Sequence, residues 1–332
     1  MIRESKFVPA KGLKNPHLQS LFPTFARRRL QIKRRRTRLE LSDGDFLDLD
    51  WLGDGNGPII VILHGMAGSA NSPYVKGLMQ VIIKQGWRGI LMYYRGCSGQ
   101  PNRLPQTYHL GQTHDLTALL NYLHLTFPKT FLAIVGYSMG GNILLKWLGE
   151  NPQQTYLKAA VAVSAPYDLR IASAAIRQGK GRFYQWLLLR DLRRYVNSKY
   201  QYPNAPIDPK SVIHIKSFWD LDEKVTAPMN GFQNAVDYYH RSSCGPWIKH
   251  ITTPTLIIHA KDDPMIPITT IPKNEAFAKA VTLELSEYGG HVGFISGSLR
   301  KPNFWLDKRI PEFLTEYLIT NNQQQNLSFI TE

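Results

Sequence analysis

Ser138 lies in Val135-Gly136-Tyr137-Ser138-Met139-Gly140-Gly141, a G-x-S-x-G run between a strand-like and a helix-like segment. That context gives the pattern its meaning, because a serine on a sharp strand-to-helix turn projects its hydroxyl above a sheet as a nucleophile. Side chains at Gly136 and Gly140 would collide with neighbouring backbone. The helix starting after Ser138 adds positive potential where a tetrahedral oxyanion develops. Such a serine needs a base, an orienting acid and oxyanion donors. The base expected is His291, in the glycine-rich run Gly289-Gly290-His291-Val292-Gly293-Phe294. For the acid, Asp262-Asp263-Pro264-Met265-Ile266-Pro267 follows a strand. The Asp-Pro-Met-Ile-Pro run favours Asp263, with the adjacent Asp262 and the earlier Asp168 as alternatives. Asp168 is better suited to capping a helix. The order Ser, Asp, His suits an open α/β sheet. The oxyanion donors expected are the backbone N–H groups of Met139 and of Met66, in the turn His64-Gly65-Met66-Ala67-Gly68-Ser69.

The remaining reactive side chains suggest no second chemistry. His64 reads as structural in its turn and His259 as a strand-end residue. His109, His114, His124 and His240 show no metal-binding pair one helical turn apart, so neither a metal nor another cofactor is expected. Cys97 sits between loop glycines with no base in view. Cys97 and Cys244 are far apart, which excludes a disulfide scaffold and suits a reducing cytoplasm. The N-terminus has no apolar signal region, and apolar runs reach only about five residues, too short to span a bilayer. A cytoplasmic protein is expected.

Positioning these groups requires alternating strands and helices. Apolar, β-branched runs predict strands over Pro58–Leu63, Gly89–Tyr94, Phe131–Val135, Ala159–Val163, Leu256–Ala260 and Thr282–Leu285. Helices are expected near Pro73–Gln85, Gln112–Leu125, Gly141–Gly149 and Ile310–Ile319. The order predicts a mostly parallel, doubly wound sheet. A hairpin over Arg38–Leu52, turning at Ser42–Asp45, adds an antiparallel part. Between Tyr167 and Trp247 the alternation stops, which suggests an inserted helical cap. The expected divisions are a basic arm packing on the core (1–37), the core (38–166 and 247–320), the cap (167–246) and a polar tail (321–332).

The chain of 332 residues is 43% hydrophobic and 20% charged, which excludes a disordered or fibrous protein. Its net charge of +15 raises polyanions as partners. Over half of that charge lies in residues 27–38, RRRLQIKRRRTR, with eight basic side chains and no acid. Alternation there predicts a charged edge strand with Leu39 and Leu41 facing inward. No recognition helix or RNA-binding signature accompanies it, so no specific nucleic acid is expected. A second basic stretch, residues 177–199, reads as a cap helix with Trp186, Leu187, Leu189, Leu192, Tyr195 and Val196 on its apolar side. Weak contact with an anionic membrane surface is its other reading. Phe183, Tyr184, Trp186, Trp219, Phe232, Tyr238 and Tyr239 suggest a cap core or an apolar acyl pocket.

With Ser138, Asp263 and His291 placed, the chain resembles the type 4 family of the α/β-hydrolase superfamily. The resemblance rests on Asn15-Pro16-His17-Leu18-Gln19-Ser20, His64-Gly65, Ser69–Tyr74, Arg95-Gly96-Cys97-Ser98-Gly99, Gly136–Asn142, Ser164-Ala165-Pro166, His259–Pro264 and Gly289–Phe294. It implies the α/β-hydrolase fold and an esterase-type serine hydrolase, and it carries the triad onto Ser138, Asp263 and His291. The expected activity is cleavage of small or lipid-like esters of short to medium acyl chains through an acyl-enzyme on Ser138. Acyl transfer to an alcohol and phospholipid hydrolysis are alternatives with the same triad, and a non-enzymatic anion-binding protein is a remote one.

Overall fold

The computed structural model describes residues 1–201 and 205–318. The chain order is β1 (Ile2–Glu4), α1 (Pro16–Ala26), β2 (Arg35–Glu40), β3 (Phe46–Leu52), β4 (Ile59–Leu63), α2 (Pro73–Lys84), β5 (Arg88–Met92), α3 (His114–Thr126), β6 (Leu132–Tyr137), α4 (Met139–Glu150) and β7 (Leu157–Val163). Among the described residues six α-helices follow, α5 (Leu169–Ile176), α6 (Gly181–Lys199), α7 (Pro209–Val212), α8 (Phe218–Leu221), α9 (Ala227–Met229) and α10 (Ala235–Ser242), with a π-helical turn at Asp222–Thr226 and a 3-10 turn at Gly245–His250. Then come β8 (Thr255–Ala260), β9 (Val281–Ser286), β10 (Ile295–Gly297), β11 (Pro302–Phe304) and α11 (Leu306–Leu318). The expected tail, 321–332, lies outside the described residues.

Nine strands form one sheet in the order β1-β9-β8-β7-β6-β4-β5-β3-β2. The strands from β4 to β9 pair in parallel, and β3 runs antiparallel to both β5 and β2. The run Ile59–Leu63 shows why this is a buried sheet. Successive side chains point to opposite faces, and here Ile59, Val61 and Leu63 join one core cluster while Ile60 and Ile62 join another. The first cluster includes Leu116, Leu120, Leu144 and Trp147 from α3 and α4. The second includes Leu78, Ile82, Ile310 and Leu314 from α2 and α11. A strand apolar on both faces needs helices on both sides, which is the doubly wound arrangement.

Three features go beyond the sequence reading. Residues 2–4 form β1, parallel to β9 at the far edge of the sheet. Residues 16–26 form a helix, begun by Asn15, whose side chain accepts from the N–H groups of His17 and Leu18. The short β10–β11 hairpin follows the His291 loop. Elements between β7 and β8 are helical throughout the described residues. On α6 the buried positions are Gly181, Tyr184, Gln185, Leu189, Leu192, Val196 and Lys199, one stripe at helical spacing. Trp186 departs from the expected apolar side and is 56% exposed, because it sits one residue, about 100°, beyond Gln185.

The basic arm is more integrated than its composition suggests. Strand β2 is the sheet edge, with Leu39 and Leu41 packed toward the core. On the opposite face, register pairs Arg36 with Asp50 and Arg38 with Asp48. Arg36 Nε donates to Asp50 Oδ1 at 2.8 Å and Arg38 Nε to Asp48 Oδ1 at 2.8 Å. Arg34 Nε and the Tyr93 hydroxyl also donate to Asp50, at 3.1 and 2.8 Å. Arg27 pairs with Asp307 on α11. Desolvation alone would raise the pKa of both β3 carboxyls. Hydrogen bonds from Arg38 and Ser98 to Asp48, and from Arg36 and Tyr93 to Asp50, outweigh it and hold both below the usual range.

Asp50→Ala is expected to cost about 2 kcal/mol in urea denaturation, because it strands three donors against a buried position. The folded pKa is below the unfolded one, so this stabilisation is complete above pH ~4 and fades as pH falls through the folded value. The stability difference between wild type and Asp50→Ala should be constant from pH 5 to 7 and shrink below pH 4.

Candidate active site

Strand β6 ends at Tyr137 and α4 begins at Met139, so Ser138 alone makes the turn, at φ 52° and ψ −115°. This left-handed conformation is uncommon outside glycine. Two glycines allow it. A Cβ on Gly136 would collide with the carbonyl of Gly140, and one on Gly140 with the carbonyl of Leu63. The turn therefore packs against the end of β4 and the Gly65 turn after it. The N–H groups of Met66 and Met139 have no protein partner among the described residues, and both residues line the same cavity as Ser138.

The structure brings His291 to Ser138 and Asp263. Its Nε2 lies 3.0 Å from Ser138 Oγ and its Nδ1 lies 2.8 Å from Asp263 Oδ2. Since the carboxylate accepts, the ring proton belongs on Nδ1, leaving Nε2 as acceptor for the serine hydroxyl. Asp263 is itself fixed, its Oδ1 accepting the N–H groups of Met265 and Ile266 at 2.9 Å each. The expected alternatives sit elsewhere. Asp262 accepts the Gly290 N–H at 2.9 Å, and Asp168 caps α5 by accepting the Ile171 N–H at 3.0 Å.

Other candidates are held out of reach of such chemistry. Burial pushes His64 down to about 4, and its Nδ1 lies 2.7 Å from the Gly65 carbonyl. Burial also lowers His259, beside the Ile266 carbonyl, and pushes the Cys97 thiol up to about 12. Among the described residues, no three His, Cys, Asp or Glu side chains gather in a way that could hold a metal ion.

What the residue-by-residue reading missed is the support behind His291. The His291 N–H donates to Ser20 Oγ at 2.8 Å, and that hydroxyl donates to the Pro16 carbonyl at 2.7 Å. Buried Gln19 accepts the Ile295 N–H at 2.6 Å and donates to the Leu13 and Ile295 carbonyls. Ser164 Oγ accepts the Val292 N–H at 3.1 Å. Helix α1 thus grips both ends of a loop containing four residues at positive φ, Gly289, Gly290, Val292 and Phe294. The same helix reaches the insertion, where His17 Nδ1 lies 2.9 Å from the Tyr184 hydroxyl on α6. The signal was present in Asn15-Pro16, a helix cap followed by proline at the first turn.

Above Ser138 the cavity is walled mainly by insertion residues, including Leu169, Ile176, Leu188, Leu192 and Val225. Of the aromatics expected around a pocket, Tyr238 and Tyr239 line it, whereas Phe183 on α6 is 50% exposed and points outside the buried stripe, as Trp186 does.

Residues 58–298 match the family described as alpha/beta hydrolase fold. The chain belongs to the α/β-hydrolase superfamily. It is 42% identical over 320 residues to "Putative esterase YheT" of Escherichia coli (strain K12), covering 95% of this chain and 94% of that one. It is 27% identical to human "Phospholipase ABHD3" over 307 residues, 89% of this chain and 75% of that protein. The structure of Pyrococcus furiosus esterase Pf2001 superposes with a TM-score of 0.59 at 16% identity, covering 88% of this hydrolase-fold chain and 96% of the other, and so shares its fold.

Asp262 supplies a pH test of the loop. Burial pushes its carboxyl up to about 6 despite the Gly290 hydrogen bond. A folded pKa above the unfolded value means the folded state favours the protonated acid, so Asp262 lowers stability as pH rises from ~4 through 6. Asp262→Asn keeps a carbonyl acceptor for Gly290. Its melting temperature should exceed that of wild type by a margin that grows from pH 5 to pH 7.

Proposed function

We propose that the protein is a serine esterase that cleaves carboxylic esters of short to medium acyl chains through an acyl-enzyme on Ser138. The observation that carries this reading is the position of His291, within hydrogen-bond reach of Ser138 and Asp263 together. The Ser138 hydroxyl attacks the ester carbonyl as its proton passes to His291 Nε2. Asp263 holds the ring tautomer and stabilises the imidazolium. The carbonyl oxygen becomes an oxyanion, and the free N–H groups of Met66 and Met139 are the donors available to it. One such donor is typically worth roughly 3 kcal/mol. The imidazolium then protonates the departing alkoxide. Water enters, gives its proton to His291 and releases the acid.

The site residues can be tested one by one. A fluorophosphonate probe should label wild type and leave Ser138→Ala unlabelled. Asp263→Asn should lower kcat for p-nitrophenyl butyrate by about 10⁴-fold through the wrong imidazole tautomer. Asp262→Asn should stay within about threefold of wild type. Labelling that persists in Ser138→Ala, or equal losses in the two aspartate variants, overturns the assignment.

A lipid-like substrate is favoured by the outer side of α6. Its inner residues Leu188, Leu192 and Val196 line the cavity, while Phe183 and Trp186 face outward among Arg182, Arg190 and Arg194. Exposed aromatics flanked by arginines suit the boundary of an anionic bilayer. Among the described residues no helix is long and apolar enough to cross a membrane, so the contact proposed is peripheral. Wild type should co-sediment with phosphatidylglycerol vesicles at low salt. The Phe183→Ser, Trp186→Ser double variant should bind at least fivefold more weakly, with turnover of soluble esters unchanged.

A further inference from the structure

The largely apolar cavity above Ser138 has one carboxylate of the insertion in its wall, that of Asp222. Asp222 begins a π-helical turn, Asp222–Thr226, a rare element that occurs frequently at functional sites. It is 9% exposed and borders Leu221 and Val225, which share the wall. One oxygen accepts from Thr226 Oγ1 at 2.9 Å, and the other from the Tyr239 hydroxyl at 2.7 Å. Ser173 Oγ lies 2.9 Å from that same hydroxyl, so it can complete a chain of donors toward the acid. Among the described residues no Lys, Arg or His pairs with Asp222, and burial pushes its carboxyl up to about 7.

An acid that served packing alone would be poorly placed here, since burying an uncompensated carboxylate is costly. A carboxylate has about four acceptor sites, and the protein fills two. The wall holds a second underused group. His109 Nδ1 accepts the Gly111 N–H at 3.1 Å, and burial pushes the ring down to about 3. Its remaining proton is therefore on Nε2, which has no protein partner among the described residues. An occupant that only donates, such as an ammonium, leaves that proton unanswered. A hydroxyl both donates and accepts.

We propose that Asp222 makes this cavity a site for hydroxylated acyl groups, an ester's chain hydroxyl donating to Asp222 while its carbonyl lies against Ser138. The inference rests on the reading of Ser138 as the acylated serine and of this cavity as the acyl site. Hydrocarbon walls accept the methylenes, and the polar spot selects chains that bring their own donor. Plain chains still enter, but they desolvate Asp222 without offering it a donor.

The test compares p-nitrophenyl esters of C4 to C10 acids with their ω-hydroxy counterparts, using the full-length enzyme. At the best-fitting length, wild type should show kcat/KM about tenfold higher for the hydroxy ester. Asp222→Asn, which replaces an acceptor by a donor, should remove most of that ratio, chiefly by lowering kcat/KM for the hydroxy ester. Thr226→Val, which releases one Asp222 oxygen, should keep or enlarge the ratio and serves if Asp222→Asn does not fold. In Ser138→Ala, the matching ω-hydroxy acid should raise the melting temperature more than the plain acid. A ratio of one or less at every length, or a ratio unchanged in Asp222→Asn, overturns the subsite and leaves the esterase reading intact. Failure of wild type to turn over either series, with no fluorophosphonate labelling, overturns both.

Discussion

Everything at the site depends on one imidazole being held at hydrogen-bond distance from two groups that arrive on different strands. His291 is 153 residues from Ser138 and 28 from Asp263 in sequence. A ring has two nitrogens in one plane, so an error of an ångström on either side breaks one of the bonds. The parallel sheet solves most of this problem. β6 and β8 are separated only by β7, and the turns that follow them open at the same end of the sheet. Ser138 and Asp263 are therefore placed by strands buried on both faces.

His291 has no such strand. It stands on a loop with left-handed residues at Gly290, Val292 and Phe294, a conformation that persists only when surroundings impose it. Helix α1 imposes it, through Ser20 on the His291 N–H and Gln19 on both backbone groups of Ile295. The N-terminal segment is thus part of the framework that holds His291 in place. Through His17 and Tyr184 it also ties that framework to the helix whose other side lines the cavity.

The basic arm shows how a composition signal changes meaning once pairs are visible. Arg27, Arg34, Arg36 and Arg38 each meet a carboxylate, and the acids on β3 are buried while their arginines reach solvent. The alternation of β3, Phe46-Leu-Asp-Leu-Asp-Trp-Leu52, places Leu47 and Leu49 in the core and Asp48 and Asp50 on the other face. A sheet edge laced with ion pairs is a poor template for further strand pairing. Part of the excess charge thus serves the fold, and on α6 Arg190 and Arg194 share the single exposed carboxylate of Asp191, which leaves that face net basic.

The order of strands and helices, the doubly wound sheet and the serine turn were legible because each is a local pattern: buried apolar runs, helical spacing, and glycines where backbones must touch. Asp263 was singled out from Asp262 by the residues following it, yet both remained open, since neighbouring carboxylates in one loop differ only in which way they face. Helix α1 and strand β1 were missed because short segments gain their stability from distant partners, Ile295 and Leu283 among them. Trp186 was placed inside because its type is apolar, whereas the phase of α6 is set by what it packs against. Asp222 gave no signal at all. Sequence by itself determined which residues can do chemistry and the fold that presents them. Only tertiary structure decided which groups meet, which charges are neutralised and what lines the cavity, because those depend on contacts between segments a hundred or more residues apart.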